Sequence, residues 1–154
     1  YQESIDRLNE IKSSGRIFFT VGNMEYLKHG GRIGKVASVA GSLLGIKPII
    51  TLKEGEIFPS GIGRSRRKTV DKTIALLLAY LAEEKTDIAD YSICIGYGYD
   101  KEEAVEFRDR LVSRLKEKGY DIDTIPIFQI GATIGVHTGP YPLGIGVVKK
   151  SIRE

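Results

Sequence analysis

The chain has 154 residues, 42% apolar and 28% charged, a length that suits one globular domain of about 100 to 200 residues. Its 23 basic and 20 acidic residues leave a net charge of +3, too balanced to point to nucleic acid by itself. The longest unbroken apolar run, residues 74–82, is far short of the ~18 to 20 residues that span a bilayer, and one cysteine with two histidines leaves neither an internal disulfide nor a thiolate zinc pattern.

The cytoplasm is therefore the default compartment. Spacing of Ile5, Leu8 and Ile11 predicts a helix over 4–14, stopped by Gly15. Residues 16–21 (RIFFTV) read as a buried strand. Asn23 can cap a short helix over 24–28 that ends at Gly30-Gly31, and a second helix is expected over 34–44. That second helix carries Ala37, Ser38, Ala40, Gly41 and Ser42. Small side chains there either let a neighbour pack closely or leave room for an apolar chain.

Residues 48–52 and 56–61 read as strands joined through Glu54-Gly55, a hairpin that makes the sheet mixed. Ser65 or Thr69 caps the longest helix, on which Val70, Ile74, Leu77, Leu78 and Leu81 recur at core spacing. A strand follows over 91–97, with Cys94 read as a small core residue. Asp100 and Glu103 form a capping-box variant for a helix packed through Ala104, Phe107, Leu111 and Leu115 and ended by Gly119. Strands over 124–130 and 143–149 complete an α/β fold, a two-layer sandwich with helices packed on a mixed sheet of about six strands.

The 18 glycines cluster at 30–34, 61–63, 96–98 and 131–146. No cluster matches a phosphate loop, since Gly34-Lys35 is followed by Val36 and preceded at the first glycine position by His29. Gly96-Tyr97-Gly98 lacks the third glycine of a dinucleotide turn, which would fall at Lys101. In Gly30-Gly31-Arg32 the paired glycines open unusual backbone shapes beside a guanidinium suited to an anion; the plainer reading is a helix C-cap and a solvated arginine. In 131–140, His137 stands between Val136 and Thr138 before the stiff Gly139-Pro140, a donor held for a carboxylate or phosphate, or a structural loop histidine. No nucleophilic triad spacing accompanies it. Arg64, Arg66, Arg67 and Lys68 crowd a helix start, where positive charge opposes the helix dipole unless an acidic partner compensates.

Taken together, residues 26–33 (YLKHGGRI), 45–50 (GIKPII), the basic stretch from Arg64 and residues 134–140 (IGVHTGP) resemble the C-terminal domain of the DegV family over about 16–148. The resemblance implies a non-catalytic binding protein for a long-chain fatty acid such as palmitate, serving lipid transport or presenting the carboxylate to a kinase partner, with no metal or cofactor. It implies that Arg32, His137 and Thr138 hold the head group, shaped by Gly30, Gly31, Gly139 and Pro140. Arg64 and Arg66 would then meet the partner. The chain begins at Tyr1 and reads as the C-terminal part of a two-domain protein whose N-terminal domain lies elsewhere. One departure is Tyr141-Pro142 after the His-Thr-Gly-Pro run, which adds a ring and removes a backbone donor beside the proposed site. The competing reading is the substrate-binding half of a dihydroxyacetone-kinase-like phosphotransfer enzyme, which lacks a phosphate loop and an acidic pair for magnesium. A nucleic-acid module would need aromatic residues interleaved with the basic cluster, and none is.

Overall fold

The computed structural model describes residues 2–39, 45–85 and 87–150. Six strands form one sheet in the order β3-β2-β1-β6-β4-β5. They are β1 (Arg16–Thr20), β2 (Lys47–Lys53), β3 (Glu56–Gly63), β4 (Tyr91–Tyr97), β5 (Ile127–Gln129) and β6 (Leu143–Lys149). Among the described residues only β4 and β5 pair in parallel; the other four pairings are antiparallel, which makes the sheet mixed as expected. The hairpin of β2 and β3 turns on Glu54 and Gly55, both at positive φ (52° and 79°), the two-residue geometry whose twist matches the strands it joins.

The helices are α1 (Gln2–Ser14), α2 (Glu25–His29), α3 (Arg66–Glu84), α4 (Lys101–Glu117) and α5 (Ala132–Thr138). Helices α3 and α4 cover one face of the sheet. Val70, Ile74, Leu77, Leu78 and Leu81 from α3 meet Ala104, Phe107, Leu111 and Leu115 from α4 in one buried cluster with Phe18, Ile93, Ile95, Leu143, Ile145 and Val147. Alternation along each strand sends these side chains to the helices and their neighbours to the other face. Tyr80 sits within this layer, tilted against Phe18 and edge to face with Tyr91, and donates its hydroxyl to Ser14 O at 2.8 Å. Burial is the largest cause pushing its phenol well above the ordinary 10.0, followed by Tyr91 and Glu84.

The caps follow the sequence with one change. Ser65 Oγ accepts from Lys68 N at 3.3 Å and Asp100 Oδ1 from Glu103 N at 2.9 Å, so both helices start on side-chain caps. The Glu103 carboxylate does not turn back to close a capping box. It takes both arms of Arg66, at 2.6 and 2.7 Å, and thereby supplies the acidic partner that the basic helix start requires.

Three expectations are corrected. The segment expected to be α-helical over 34–44 is a 3-10 helix at Gly34–Val39, and residues 40–44 lie outside the described residues. The strand expected over 124–130 shrinks to Ile127–Gln129, because Pro126 has no N–H for the ladder; its carbonyl accepts instead from Ile95 N at 2.9 Å. Cys94 is half-buried and alternates with the core residues Ile93 and Ile95, so it belongs to the face away from α3 and α4.

Candidate functional site

Helix α2 is short and needs help at both ends. Asn23 Oδ1 accepts from Glu25 N at 3.0 Å, and Leu27 is anchored beside Val21, Val36 and Ile50 on the sheet face that α3 and α4 leave uncovered. At its C-terminus Gly31 N donates to Lys28 O at 3.1 Å and Arg32 N to Leu27 O at 2.8 Å, with Gly31 at φ +66°. This pair of bonds is a Schellman cap, which asks for a left-handed residue where Gly31 stands. The plainer reading of the paired glycines is therefore true of the backbone. It also fixes where Arg32 emerges: the side chain is exposed and its Nη1 donates to Gly30 O at 2.9 Å.

The histidine stands on an element that sequence reasoning missed. Residues 132–138 form α5, not a loop, and His137 occupies its last turn. Thr138 is buried, and its hydroxyl donates back to Ile134 O at 3.2 Å, so the structure turns it inward to brace the helix. Arg32 and His137 each contact Gly30. A Cβ built at Gly30 would lie 2.2 Å from His137 Nδ1, so the imidazole is seated directly on the glycine whose carbonyl holds Arg32. Gly30 itself has an ordinary φ of −75°; close approach, not backbone freedom, is what it provides.

A reciprocal contact completes the interlock. Gly139 sits at φ 74° and ψ −167°, and a Cβ there would fall 2.5 Å from the Tyr26 ring. Each short helix thus lodges a ring against a glycine of the other. Nδ1 of His137 is buried with no hydrogen-bond partner among the described residues. A buried ring nitrogen without a partner costs about 1–3 kcal/mol, whether it stands as donor or acceptor.

The loop of Pro140, Tyr141 and Pro142 is clipped to the end of β4. Tyr99 N donates to Pro140 O at 2.8 Å and Gly98 N to Pro142 O at 3.0 Å, and the Tyr99 and Tyr141 rings meet edge to face at 6.3 Å. Pro142, which has no N–H to give, takes part in the clip through its carbonyl. Around it the surface is apolar: Ile134, Val136, Tyr99 and Tyr141 are all exposed, Val136 at 63%.

A second feature lies on the open face of the sheet, where Ile17, Leu52, Cys94, Gly146, Val148 and Phe128 border a depression of about 560 Å³. A third is a charged groove of about 310 Å³ between α3 and α4, bordered by Arg66, Arg67, Arg110, Glu103 and Glu106. Of the basic cluster, Arg64, Arg67 and Lys68 are exposed, whereas the guanidinium of Arg66 is engaged by Glu103. Among the described residues no group of three or more His, Cys, Asp or Glu is placed to hold a metal ion, and no helix is long and apolar enough to cross a membrane.

A family of uncharacterised proteins named DegV matches residues 1–150. The chain belongs to the DegV family. A DegV domain-containing protein of Clostridium perfringens is 34% identical over 154 residues, covering 97% of this chain and 50% of its own length. A solved structure from Eubacterium ventriosum, described as a stearic acid-binding protein, superposes with a TM-score of 0.87 at 42% identity, over 98% of this chain and 50% of that one. DegV of Bacillus subtilis, described as a fatty acid binding protein, gives a TM-score of 0.71 at 27% identity, over 97% of this chain and 50% of its own. The chain spans about half the length of the DegV relatives it matches.

Proposed function

We propose that this chain is the C-terminal, lipid-holding half of a two-domain cytoplasmic protein that binds a long-chain fatty acid without catalysis. The observation that carries the reading is that Arg32 and His137 both touch Gly30, a cation at its carbonyl and an imidazole against its Cα, beside an exposed apolar surface. A carboxylate in such a place is partnered rather than stranded, and leaving it unpaired would cost several kcal/mol. The tail supplies the affinity, at roughly 0.8 kcal/mol per buried methylene, so a sixteen-carbon acid gains about 10 to 12 kcal/mol gross. Similarity to a stearic acid-binding protein at 42% identity supports the substrate class.

Tyr99, Ile134, Val136 and Tyr141 form the surface that the N-terminal half covers, and the shared head-group site is completed there. The exposed Arg64 and its neighbours offer a kinase partner a basic contact outside the lipid site, with Arg66 held in place by Glu103. Transport of the acid, or presentation of its carboxylate to that kinase, is the role in the cell.

The test joins chemistry to geometry. Ligand extracted from the two-domain protein is identified by mass spectrometry, and palmitate retention is compared among wild type, Arg32→Ala, His137→Gln and His137→Asn. Glutamine places an amide donor near the position of Nε2, and asparagine near Nδ1. Retention by His137→Gln with loss in His137→Asn and Arg32→Ala is expected. Phosphorylated sugars in the extract, or equal retention by all four proteins, would sink the proposal. The isolated chain should retain palmitate poorly, because half of the site is absent.

A further inference from the structure

On the open face of the sheet one register row points outward across four strands: Leu52, Ile17, Gly146 and Cys94 stand side by side. The two small members lie on adjacent strands, β6 and β4, so the floor sinks beyond Ile17 and rises again at Phe128, which is 59% exposed at the β5 edge. The next row pairs Val148 with Ser92, and there branched and polar side chains return, with Lys12 and Glu54 at the rim. The resulting volume of about 560 Å³ lies inside the ~300 to 1,000 Å³ range of small-ligand sites. Among the described residues a Cβ built at Gly146 comes within 4 Å of Cys94 Sγ alone, at 3.2 Å.

We infer that Gly146 and Cys94 determine the acyl chain length this protein accepts, by forming the floor on which the last methylenes of the fatty acid rest. The inference builds on the fatty-acid reading above. His137 and Pro140 lie just before β6, at the head-group end. Gly146 is about 10 Å and Val148 about 17 Å along that strand from Leu143, at ~3.3 Å per residue. A short tail ends before the floor, a long one reaches it, and the Val148 and Ser92 row marks its limit. Ile17, Leu52, Cys94, Gly146 and Phe128 offer a hydrocarbon apolar contact, and Lys12, Arg16 and Glu54 are the charged members of the lining. The apolar row suits the distal tail as the occupant.

Dissociation constants for dodecanoate, palmitate and stearate, measured on the two-domain protein as wild type, Gly146→Val and Cys94→Leu, test the inference. The two substitutions fill the same floor from neighbouring strands, so one remains informative if the other fails to fold. Each methylene denied its place weakens binding about fourfold. Stearate should therefore lose tenfold or more while dodecanoate stays within twofold. In wild type, stearate but not dodecanoate should slow alkylation of Cys94. Equal loss for all three acids in a folded variant, or no loss at all, overturns the inference while leaving fatty-acid binding intact. If wild type binds none of the three, both fall together.

Discussion

Substituting alanine for Gly30 separates a seat for the imidazole from an ordinary helix end. At φ −75° and ψ 0° the backbone accepts an L-residue, so an unobstructed Gly30→Ala change would stabilise the chain by about 0.4–1 kcal/mol through the unfolded state. The structure predicts the opposite sign. The new methyl would lie 2.2 Å from His137 Nδ1 and 3.0 Å from Tyr26 O, and the second of these is backbone that cannot swing aside. Overpacking of this kind costs about 1–3 kcal/mol, which leaves a net loss of about 1–2 kcal/mol. In a protein of this size that lowers the melting temperature by about 2 to 8 °C. Thermal unfolding followed by circular dichroism reads the loss directly. The double variant Gly30→Ala with His137→Ala should recover part of it, because the methyl enters the space the ring vacates, and a coupling of about 0.5–3 kcal/mol is expected for groups in contact. A more stable Gly30→Ala protein, or strictly additive losses in the double variant, would refute the interlock.

Gly139→Ala should cost more, about 2 to 4 kcal/mol, since the strain of a backbone region open almost only to glycine adds to collision with the Tyr26 ring. Removing the ring in Tyr26→Ala should restore only the collision part, which denaturant unfolding would measure; full restoration would argue against backbone strain. Tyr80 gives a pH prediction. Its phenol is raised in the folded state, so the associated stability is complete below pH 10.0, its ordinary value, and is lost as pH rises above it. Tyr80→Phe should cost about 1–3 kcal/mol at neutral pH by leaving Ser14 O unpaired, yet lose less further stability than wild type between pH 9 and 11. Parallel pH profiles for the two proteins would count against a buried, protonated Tyr80.

The layer of α3 and α4 was legible because its signals are local and redundant. Apolar residues recur at helical spacing, caps precede them, and all nine positions from Val70 to Leu115 read as core are buried. Helix α5 was not legible for a physical reason. Gly135 and the β-branched Thr133, Ile134, Val136 and Thr138 are poor helix formers, so apart from Ala132 the run's own propensity works against a helix. What holds it is tertiary: Gly139 accepts the Tyr26 ring, and Gly30 accepts His137, contacts that join residues more than a hundred positions apart. The one local trace was the pair Gly131 and Gly139, an N-cap and a C-cap at the spacing of two helical turns.

The same distinction explains how the candidate site was read. Arg32 and His137 could be named from residue type and from flanking glycines, but their shared contact with Gly30 could not. Nor could Thr138 be set apart from His137 by sequence, since only the helical turn sends the hydroxyl back to Ile134 O while the neighbouring ring goes to Gly30. Cys94 was misplaced although the strand alternates Tyr91, Ile93, Ile95 and Tyr97 with Ser92, Cys94 and Gly96, a period of two that sets the cysteine with the small and polar residues of the other face. Pairing with Gly146 puts Cys94 on the open side, and an apparently inert core thiol becomes part of the floor. Glycines in this chain therefore have two separable uses. Gly31 and Gly139 supply a backbone that other residues resist, whereas Gly30 and Gly146 supply the absence of a side chain, and it is the second pair that would decide what ring and what tail fit against the protein.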